Sequence, residues 1–550
     1  MQQRITINFN TDSKTTDKPT ILEYCRSNGI TGIETPCGGK GTCGKCKVTV
    51  TKPYYKDVLA CQTKICDGME IIVGRKESTG TKEDSMVVLT NGGNVSEKFN
   101  EHVNEHVNEH VNRNVVLKEE TANESEKVES NEDTLAACDI GTTTVVCYLI
   151  DKETGQIIST RSGANPQRSF GADVLSRIDA AARADDNDKA NGGLQMMQTQ
   201  IVSLLNGWIS EMLTECGRTK VSRFSVAGNT VMCHLLMGIS PEKLGKAPFL
   251  PDEYFGRAFN PLDIGLENCQ TMIIFPAVSG FVGGDITAGM METVNCNELT
   301  LYLDIGTNGE MALGKGDRYV CCATAAGPAF EGAQIELGMP ASKGAVDKVW
   351  LEGRRIKYSV IGNDRPVGLC GSGLIDALAV LLKAGIIDEN GTILSGQELP
   401  ILFRSYVFEV EAEETAQSTE SSLAVHIAPG VYITQEDIRK LQLAKGAIAA
   451  GIEVLFKEYG CTPCNIDVLT FAGGFGNYID KASAAAIGLF PQELLDKAKE
   501  VGNAAGNGAV SAALSQEAWK RALDISGNMR YIELASYPHF NEMYVEHMNF

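Results

Sequence analysis

Nowhere in the 550 residues does an apolar run approach the ~18 residues that a membrane helix needs. The opening MQQRITINFNTD also lacks the basic start and greasy core of a signal peptide, so the expected location is the cytoplasm. Positive charge is scarce: 49 Lys and Arg stand against 70 Asp and Glu, a net charge of −21. Such a surface repels the phosphates of nucleic acid and points to small molecules and proteins as partners. No GxxxxGK(S/T) occurs, which excludes a P-loop nucleotide site. Between residues 76 and 133 the only aromatic is Phe99, and after Cys464 there is no further cysteine.

What is present is the composition of a folded chain, 43% apolar and 22% charged, long enough for about three or four domains. Its 17 cysteines, in a chain without an export signal, read as reduced thiols or metal ligands. Residues 1–75 read as a small β-rich module: RITINF, KCKVTV and MEIIVG as strands, PTILEYCRSNGI as a helix ended by Gly29. Residues 76–133 are rich in Glu, Asn, Ser and Lys and contain NEHVNEHVNEHVN, which reads as a linker. Its His102, His106 and His110 would share a helical stripe, but Asn is a poor helix former and a spacer is the plainer reading. As a flexible coil this stretch spans roughly 40 Å and lets the first module move relative to the rest of the chain. Residues 134–550 alternate strands, glycine turns and helices in the α/β manner. Within them LAACDIGTTTVVCYLID (135–151) is echoed by LTLYLDIGTNGEMALG (299–314), which predicts duplicated halves, approximately 134–298 and 299–550, facing across a cleft.

Three motifs carry chemistry. CGGKGTCGKC places Cys37, Cys43 and Cys46 in a C-x5-C-x2-C pattern, and Cys61 comes later in VLACQT. Four thiolates on a wrapping loop and its successor suit a 2Fe-2S cluster, and glycines 38, 39, 41 and 44 let the backbone curl around it. Cys66 is the alternative fourth ligand, and zinc is the alternative metal, although zinc sites usually bring two C-x2-C pairs. The paired Asp-Ile-Gly-Thr stretches are the second motif. In each, an apolar strand ends in a carboxylate able to hold hydrated Mg2+, while the turn after it offers N–H and O–H groups to nucleotide phosphates. Asp139 and Asp304 are the magnesium-side candidates, and Gly141, Thr142, Thr143, Thr144, Gly306, Thr307, Asn308 and Gly309 form the phosphate turns. Third, VLTFAGGFGN (468–477) runs a buried strand into Gly473, Gly474 and Gly476, where adenine and ribose can lie against bare backbone.

Other features are weaker. Asn229 and Asp285 sit at strand-end turns that could line the cleft or be structural. CATAAGPAFEGA (322–333) and GLCGSGLIDAL (368–378) are glycine-rich helix entries, able to receive phosphate or to pack tightly. Cys461 and Cys464 read as part of a loop, and His234, His426, His539 and His547 as isolated.

On CGGKGTCGKC with LACQT, DIGTTT, DIGTNGE, ATAAGPAFEGA and AGGFGNY, in that order, the sequence resembles the reductive activators of corrinoid proteins. The resemblance covers nearly all but the linker. It implies a β-grasp ferredoxin-like domain joined to a duplicated RNase H-like ATPase domain of the acetate-kinase, sugar-kinase, Hsp70 and actin superfamily. It further implies a 2Fe-2S cluster, ATP and Mg2+ as cofactors and the corrinoid protein of a methyltransferase system as partner. A low-potential donor such as ferredoxin or flavodoxin and a homodimer are further expectations. The implied work is ATP-dependent return of Co(II) to Co(I), uphill from a cluster near about −400 mV. Biasing a two-state equilibrium from 1:99 to 99:1 takes about 5.5 kcal/mol, or roughly 240 mV for one electron. Larger relatives carry a further small domain where this chain has low-complexity sequence, and others hold four-iron clusters near the C terminus, for which this sequence has no cysteines. Two rival readings stand beside it: a small-molecule kinase with an attached redox sensor, its catalytic carboxylate Asp304 or Glu310, and a plain electron carrier with a nucleotide-binding regulatory lobe.

Overall fold

The computed structural model describes residues 3–7, 19–27, 33, 46–52, 56–65, 69–73, 134–182, 192–410, 422–473 and 479–550. The linker with His102, His106 and His110 lies outside these residues, as do Gly29, Cys37, Cys43, Cys66, Gly474 and Gly476.

The N-terminal module opens with β1 (Gln3–Ile7) and α1 (Ile21–Ser27). A capping box starts the helix: Glu23 N donates to Thr20 Oγ1 at 3.2 Å and Thr20 N to Glu23 Oε2 at 2.6 Å. Then come β2 (Lys47–Lys52), β3 (Lys56–Leu59) and β4 (Met69–Val73), in an antiparallel sheet ordered β1-β4-β2-β3. In β4, Met69, Ile71 and Val73 are buried and the residues between them are not, which is the period of two that a half-buried strand requires. Against them pack Ile21, Leu22 and Cys25 of the helix with Val48 and Val50 of β2. The strand β3 has no counterpart in the sequence reading, because KDVL is too short and too polar to signal one.

The second body begins with a meander, β5 (Thr134–Ile140), β6 (Thr144–Asp151) and β7 (Ile157–Ala164). Two helices come next, α2 (Val174–Ala182) and α3 (Gly193–Glu215), after which β8 (Arg223–Gly228) returns parallel to β5. After α4 (Thr230–Met237) and β9 (Arg257–Phe259), β10 (Met272–Ile274) lies parallel to β8 and leads into α5 (Gly284–Thr293). The sheet order is β7-β6-β5-β8-β10-β9.

The same plan then recurs. β11 (Thr300–Ile305), β12 (Gly309–Lys315) and β13 (Arg318–Thr324) form a second meander. Two small sheets are inserted, β14 (Ala345–Glu352), β15 (Arg355–Val360) and β16 (Gly368–Leu369), then β17 (Val407–Val410), β18 (Ser422–Ala428) and β19 (Val431–Thr434). Helix α6 (Gly371–Lys383) lies between them and α7 (Gln435–Tyr459) after them. β20 (Val468–Ala472) then pairs parallel to β11, β21 (Ala498–Glu500) parallel to β20, and β22 (Met529–Tyr531) closes the far edge beside β13. In both large sheets a three-strand meander receives its next two core strands in parallel on the other side of its first strand. The repeated Asp-Ile-Gly-Thr therefore marks a repeated fold, one sheet plan used twice.

Helix α7 shows why the second of these sheets is stable. A capping box between Thr434 and Asp437 starts it, and Gly460, at φ +80°, ends it. Ile438, Leu441, Ile448, Ile452 and Leu455 recur at helical spacing and are fully or almost fully buried, each contributing roughly 1.5–3 kcal/mol. At Gly451 a Cβ would come within 2.3 Å of Met311 Cε, so a glycine lets the helix lie close on β12. By contact the described residues form two compact units, one up to Asp285 together with Ala509–Trp519, the other Ile286–Gly508 with Lys520–Phe550. No helix among them is long and apolar enough to cross a membrane.

Asp376, on α6, is 5% exposed, and burial pushes its carboxyl up to about 6, with Asp480 adding and the Ser483 and Val349 hydrogen bonds opposing. The folded chain therefore holds this proton more tightly than the unfolded one, whose pKa is near 3.8. Its contribution is fully present below about pH 4 and is lost as pH rises through about 6. Asp376→Asn keeps the acceptor for Val349 N and is expected to add about 1–2 kcal/mol at pH 7 and nothing at pH 4. Thermal unfolding of both proteins across that range checks it; equal gains at both pH values would refute it.

Candidate functional site

At the edge of the N-terminal module two thiols converge. Cys46 directly precedes β2 and Cys61 comes just after β3, and the pairing of those strands, extended by Ala60 N to Cys46 O at 2.8 Å, brings their sulfurs to 3.1 Å. Cys46 is buried, Cys61 is partly exposed, and neither forms a disulfide. Two reduced thiols side by side at a sheet end are a donor pair for a soft metal centre. The remaining proposed ligands, Cys37 and Cys43, lie outside the described residues.

The first Asp-Ile-Gly-Thr lies at the end of β5. Every residue of that strand is buried except Asp139. Gly141 N donates to Thr144 O at 2.9 Å, closing the turn, and a Cβ on Gly141 would approach the same oxygen at 2.8 Å. The turn is held from three sides. Asn165 donates through Nδ2 to Gly141 O at 2.8 Å and through its backbone N–H to Thr143 O at 2.9 Å. Asn229, which caps α4, donates to Thr142 Oγ1 at 3.0 Å. Arg177, fully buried on α2, donates to the Thr142 carbonyl and, at 3.0 Å, to Gly171 O. Burial pulls its guanidinium down to about 9, with Arg168 adding to the shift and Asp173 opposing it. Asp285 in the first turn of α5 comes into the same neighbourhood: after burial, its charge and then that of Asp139 push the Cys233 thiol up. A Cβ on Gly283 would stand 2.5 Å from Asn229 Cα, so the two loops touch through backbone. Asp139, Thr142, Asn229 and Asp285 are thus gathered at one end of one sheet.

The second turn repeats this at the end of β11, where Asp304 is again the only residue of its strand that is not buried. Gly306 N donates to Asn308 O at 2.9 Å. Asp304 pairs in register with Glu310 of β12 on one side and Ala472 of β20 on the other. Gly473 comes next at φ +83°, and a Cβ there would lie 2.3 Å from Asp304 Oδ1. The first glycine of GGFG thus lies against the Asp304 carboxylate, a neighbour the sequence reading did not name. Thr307 is buried and donates its hydroxyl to Glu331 Oε1 at 3.1 Å, so that hydroxyl is engaged within the protein. Gly309 is packed between Ile448 and Thr324. Asp304, Glu310 and Glu331 make this turn acidic. Among the described residues no group of three or more His, Cys, Asp or Glu has metal-holding geometry.

Sequence reasoning missed three of these residues. Glu331 lay in the noted ATAAGPAFEGA, where a carboxylate inside a glycine-rich helix entry was the available signal. Asn165 and Arg177 gave none, since a lone polar residue reads as exposed until the fold buries it. The isolated histidines are structural: His234 Nδ1 bonds Thr230 O, His426 stacks on Phe408, and His547 bonds Glu453. Cys464 lies within the short turn Pro463–Asn465 before β20, and Cys461 just precedes its cap, Thr462.

Three family models match successive parts of the chain. Residues 7–66 match the 2Fe-2S iron-sulfur cluster binding domain, 135–295 the RACo middle region, and 298–550 the C-terminal domain of RACo, the ASKHA domain. Over 96% of its length the chain is 33% identical to the corrinoid activation enzyme RamQ of Eubacterium limosum, of which it covers 95%. Over 64% it is 26% identical to the Co(II) methylated amine-specific corrinoid protein reductase of Methanosarcina barkeri, covering 65% of that chain. A solved reductive activator for corrinoid, iron-sulfur protein superposes with a TM-score of 0.64 at 29% identity, over 99% of this chain and 98% of that one.

Gly473→Ala places a methyl on the Asp304 carboxylate and forces an L residue into left-handed backbone. A loss of about 2–3 kcal/mol is expected, read as a fall in Tm. Gly353→Ala, also at positive φ but in open space, should lose only about 1 kcal/mol. Equal losses would show that Gly473 and Asp304 are not in contact.

Proposed function

We propose, from the premise that this chain belongs to the RACo family of corrinoid reductive activators, a division of labour among its residues. The protein is an ATP-dependent reductive activator: it delivers one electron to a Co(II) corrinoid held by a partner protein and leaves Co(I). The single observation that carries the reading is a pair of aspartates, Asp139 and Asp304, each the one residue of its strand that is not fully buried and each at the same point of two sheets of the same plan, in a chain that also brings Cys46 and Cys61 together. Ligands in α/β folds collect where parallel strands end, and both carboxylates sit at that level.

Cys37, Cys43, Cys46 and Cys61 are the proposed ligands of a 2Fe-2S cluster, which when bound supplies a one-electron carrier. Asp139 at the first turn and Asp304 at the second are each proposed as a carboxylate that would hold hydrated Mg2+. The backbone N–H groups of Thr142 and Thr143 at the first turn and of Thr307 and Asn308 at the second are the proposed donors to phosphate oxygens, those of Gly141 and Gly306 closing the turns, and the Thr142 hydroxyl is aligned by Asn229. Glu310 and Glu331 hold or accept the proton of a water at the second turn, where Thr307 donates to Glu331. Gly473, Gly474 and Gly476 are the proposed adenosine contacts. The upstream donor is a low-potential ferredoxin or flavodoxin, and two copies of the chain form a homodimer.

The test is anaerobic: protein, a Co(II) corrinoid protein, a reductant and ATP, monitored through the visible spectrum of Co(I). Co(I) should appear with ATP and not without it. Cys46→Ser should abolish both the cluster's visible absorption and Co(I) formation. Asp304→Asn should keep the absorption and slow Co(I) formation by at least about 100-fold. Wild-type rates in Asp304→Asn would mean that the nucleotide chemistry lies elsewhere.

A further inference from the structure

We infer that Ser169 to Gly171 form a seat for the N-terminal module, and that Arg26 is the side chain holding the module on it. Arg26 lies on α1 and donates from Nε and Nη2 to the Ser169 carbonyl, at 2.8 and 2.5 Å. Its guanidinium carbon stands 5.1 Å from the centre of the Phe170 ring. The partners are 143 positions apart in sequence and belong to one compact unit. One planar cation grips a carbonyl through two N–H groups while covering an aromatic face, a combination that an ammonium cannot reproduce. Phe170 is 3% exposed and otherwise belongs to the core beneath β5.

The seat is wired to the first Asp-Ile-Gly-Thr turn. Ser169 ends a short 3-10 turn, Pro166–Ser169, whose cap is Asn165, the residue that bonds both Gly141 O and Thr143 O. On the other side of Phe170, the Gly171 carbonyl accepts from Arg177 Nε, and the same guanidinium donates to Thr142 O. Slack is limited there, because a Cβ on Gly171 would already meet Ser176 Cβ at 2.4 Å. A displacement of Ser169 or Phe170 therefore acts on the turn from both ends of one short segment. Such coupling is reciprocal: occupancy of the turn changes how firmly the module is seated, by the same factor that seating changes occupancy. Arg26, Asn165 and Arg177 are positioning residues in this scheme. The coupling half rests on the nucleotide reading of the turn; the seat does not.

Hydrogen exchange read by mass spectrometry on the full-length, cluster-loaded protein separates the two. Without nucleotide, Arg26→Ala is expected to keep the cluster's visible spectrum and to exchange the amides of residues 165–171 about tenfold faster, the scale of losing a charge-assisted hydrogen bond. Arg26→Lys should resemble Arg26→Ala. Wild-type exchange at 165–171 in either variant would overturn the seat. With Mg2+ and a non-hydrolysable ATP analogue, exchange at 141–144 should slow in the wild type and exchange at 21–27 should change with it, the second effect vanishing in Arg26→Ala. Protection at 141–144 without any change at 21–27 would overturn the coupling. No protection at 141–144 would refute the nucleotide reading of the turn, leaving the seat to be judged by the variants alone.

Discussion

A carboxylate at the end of a strand buried on both faces is the constraint around which this protein is arranged. Six of the seven residues of β5 and five of the six of β11 are buried, and the exception in each is the aspartate. A charge one position earlier would be sealed in the sheet at a cost of several kcal/mol. One position later, at Ile140 or Ile305, it would again be sealed in the core. The neighbouring parallel strands end at the same level, Ala227 beside Asp139 and Ala472 beside Asp304. The next residues of each neighbouring strand are therefore delivered to the carboxylate: Gly228 and the helix cap Asn229 in one sheet, Gly473 in the other.

The two turns share geometry and differ in surroundings. Around the first, the carbonyls of Gly141, Thr142 and Thr143 are taken up by Asn165 and Arg177, which fixes the loop's backbone. Around the second, carboxylates gather: Asp304, Glu310 and Glu331, with Thr307 tied to the last of them. Duplication supplied two copies of one device. Divergence of the side chains packed behind them leaves one copy held stiffly by donors and the other lined with carboxylates.

The N-terminal module applies the same economy to sulfur. Its hairpin needs only a few residues to bring Cys46 and Cys61 together, because antiparallel pairing places the residues that flank a two-stranded ribbon opposite each other. The helix packed on that sheet carries Arg26 outward, so one small module presents a thiol pair and a cationic anchor. In a chain whose net charge is −21, a single guanidinium fitted to a carbonyl and a ring gives specificity that general electrostatics would not.

Local order was legible in the amino acids alone. An apolar run ending in Asp-Ile-Gly-Thr, met twice, announces two strands, two turns and a duplicated fold, since period, turn residues and repetition are properties of neighbours in the chain. The cysteine spacing announces a thiolate centre for the same reason. Tertiary structure decided what depends on distant segments. Spacing could not say whether Cys61 reaches Cys46; the pairing of β2 with β3 does. GGFG did not say which residue its first glycine would meet; the parallel docking of β20 on β11 puts it against Asp304. Glu331, Asn165, Arg177 and Arg26 act on residues 24 to 143 positions away, and no short-range pattern encodes a hydrogen bond whose two ends meet only after the sheets have formed.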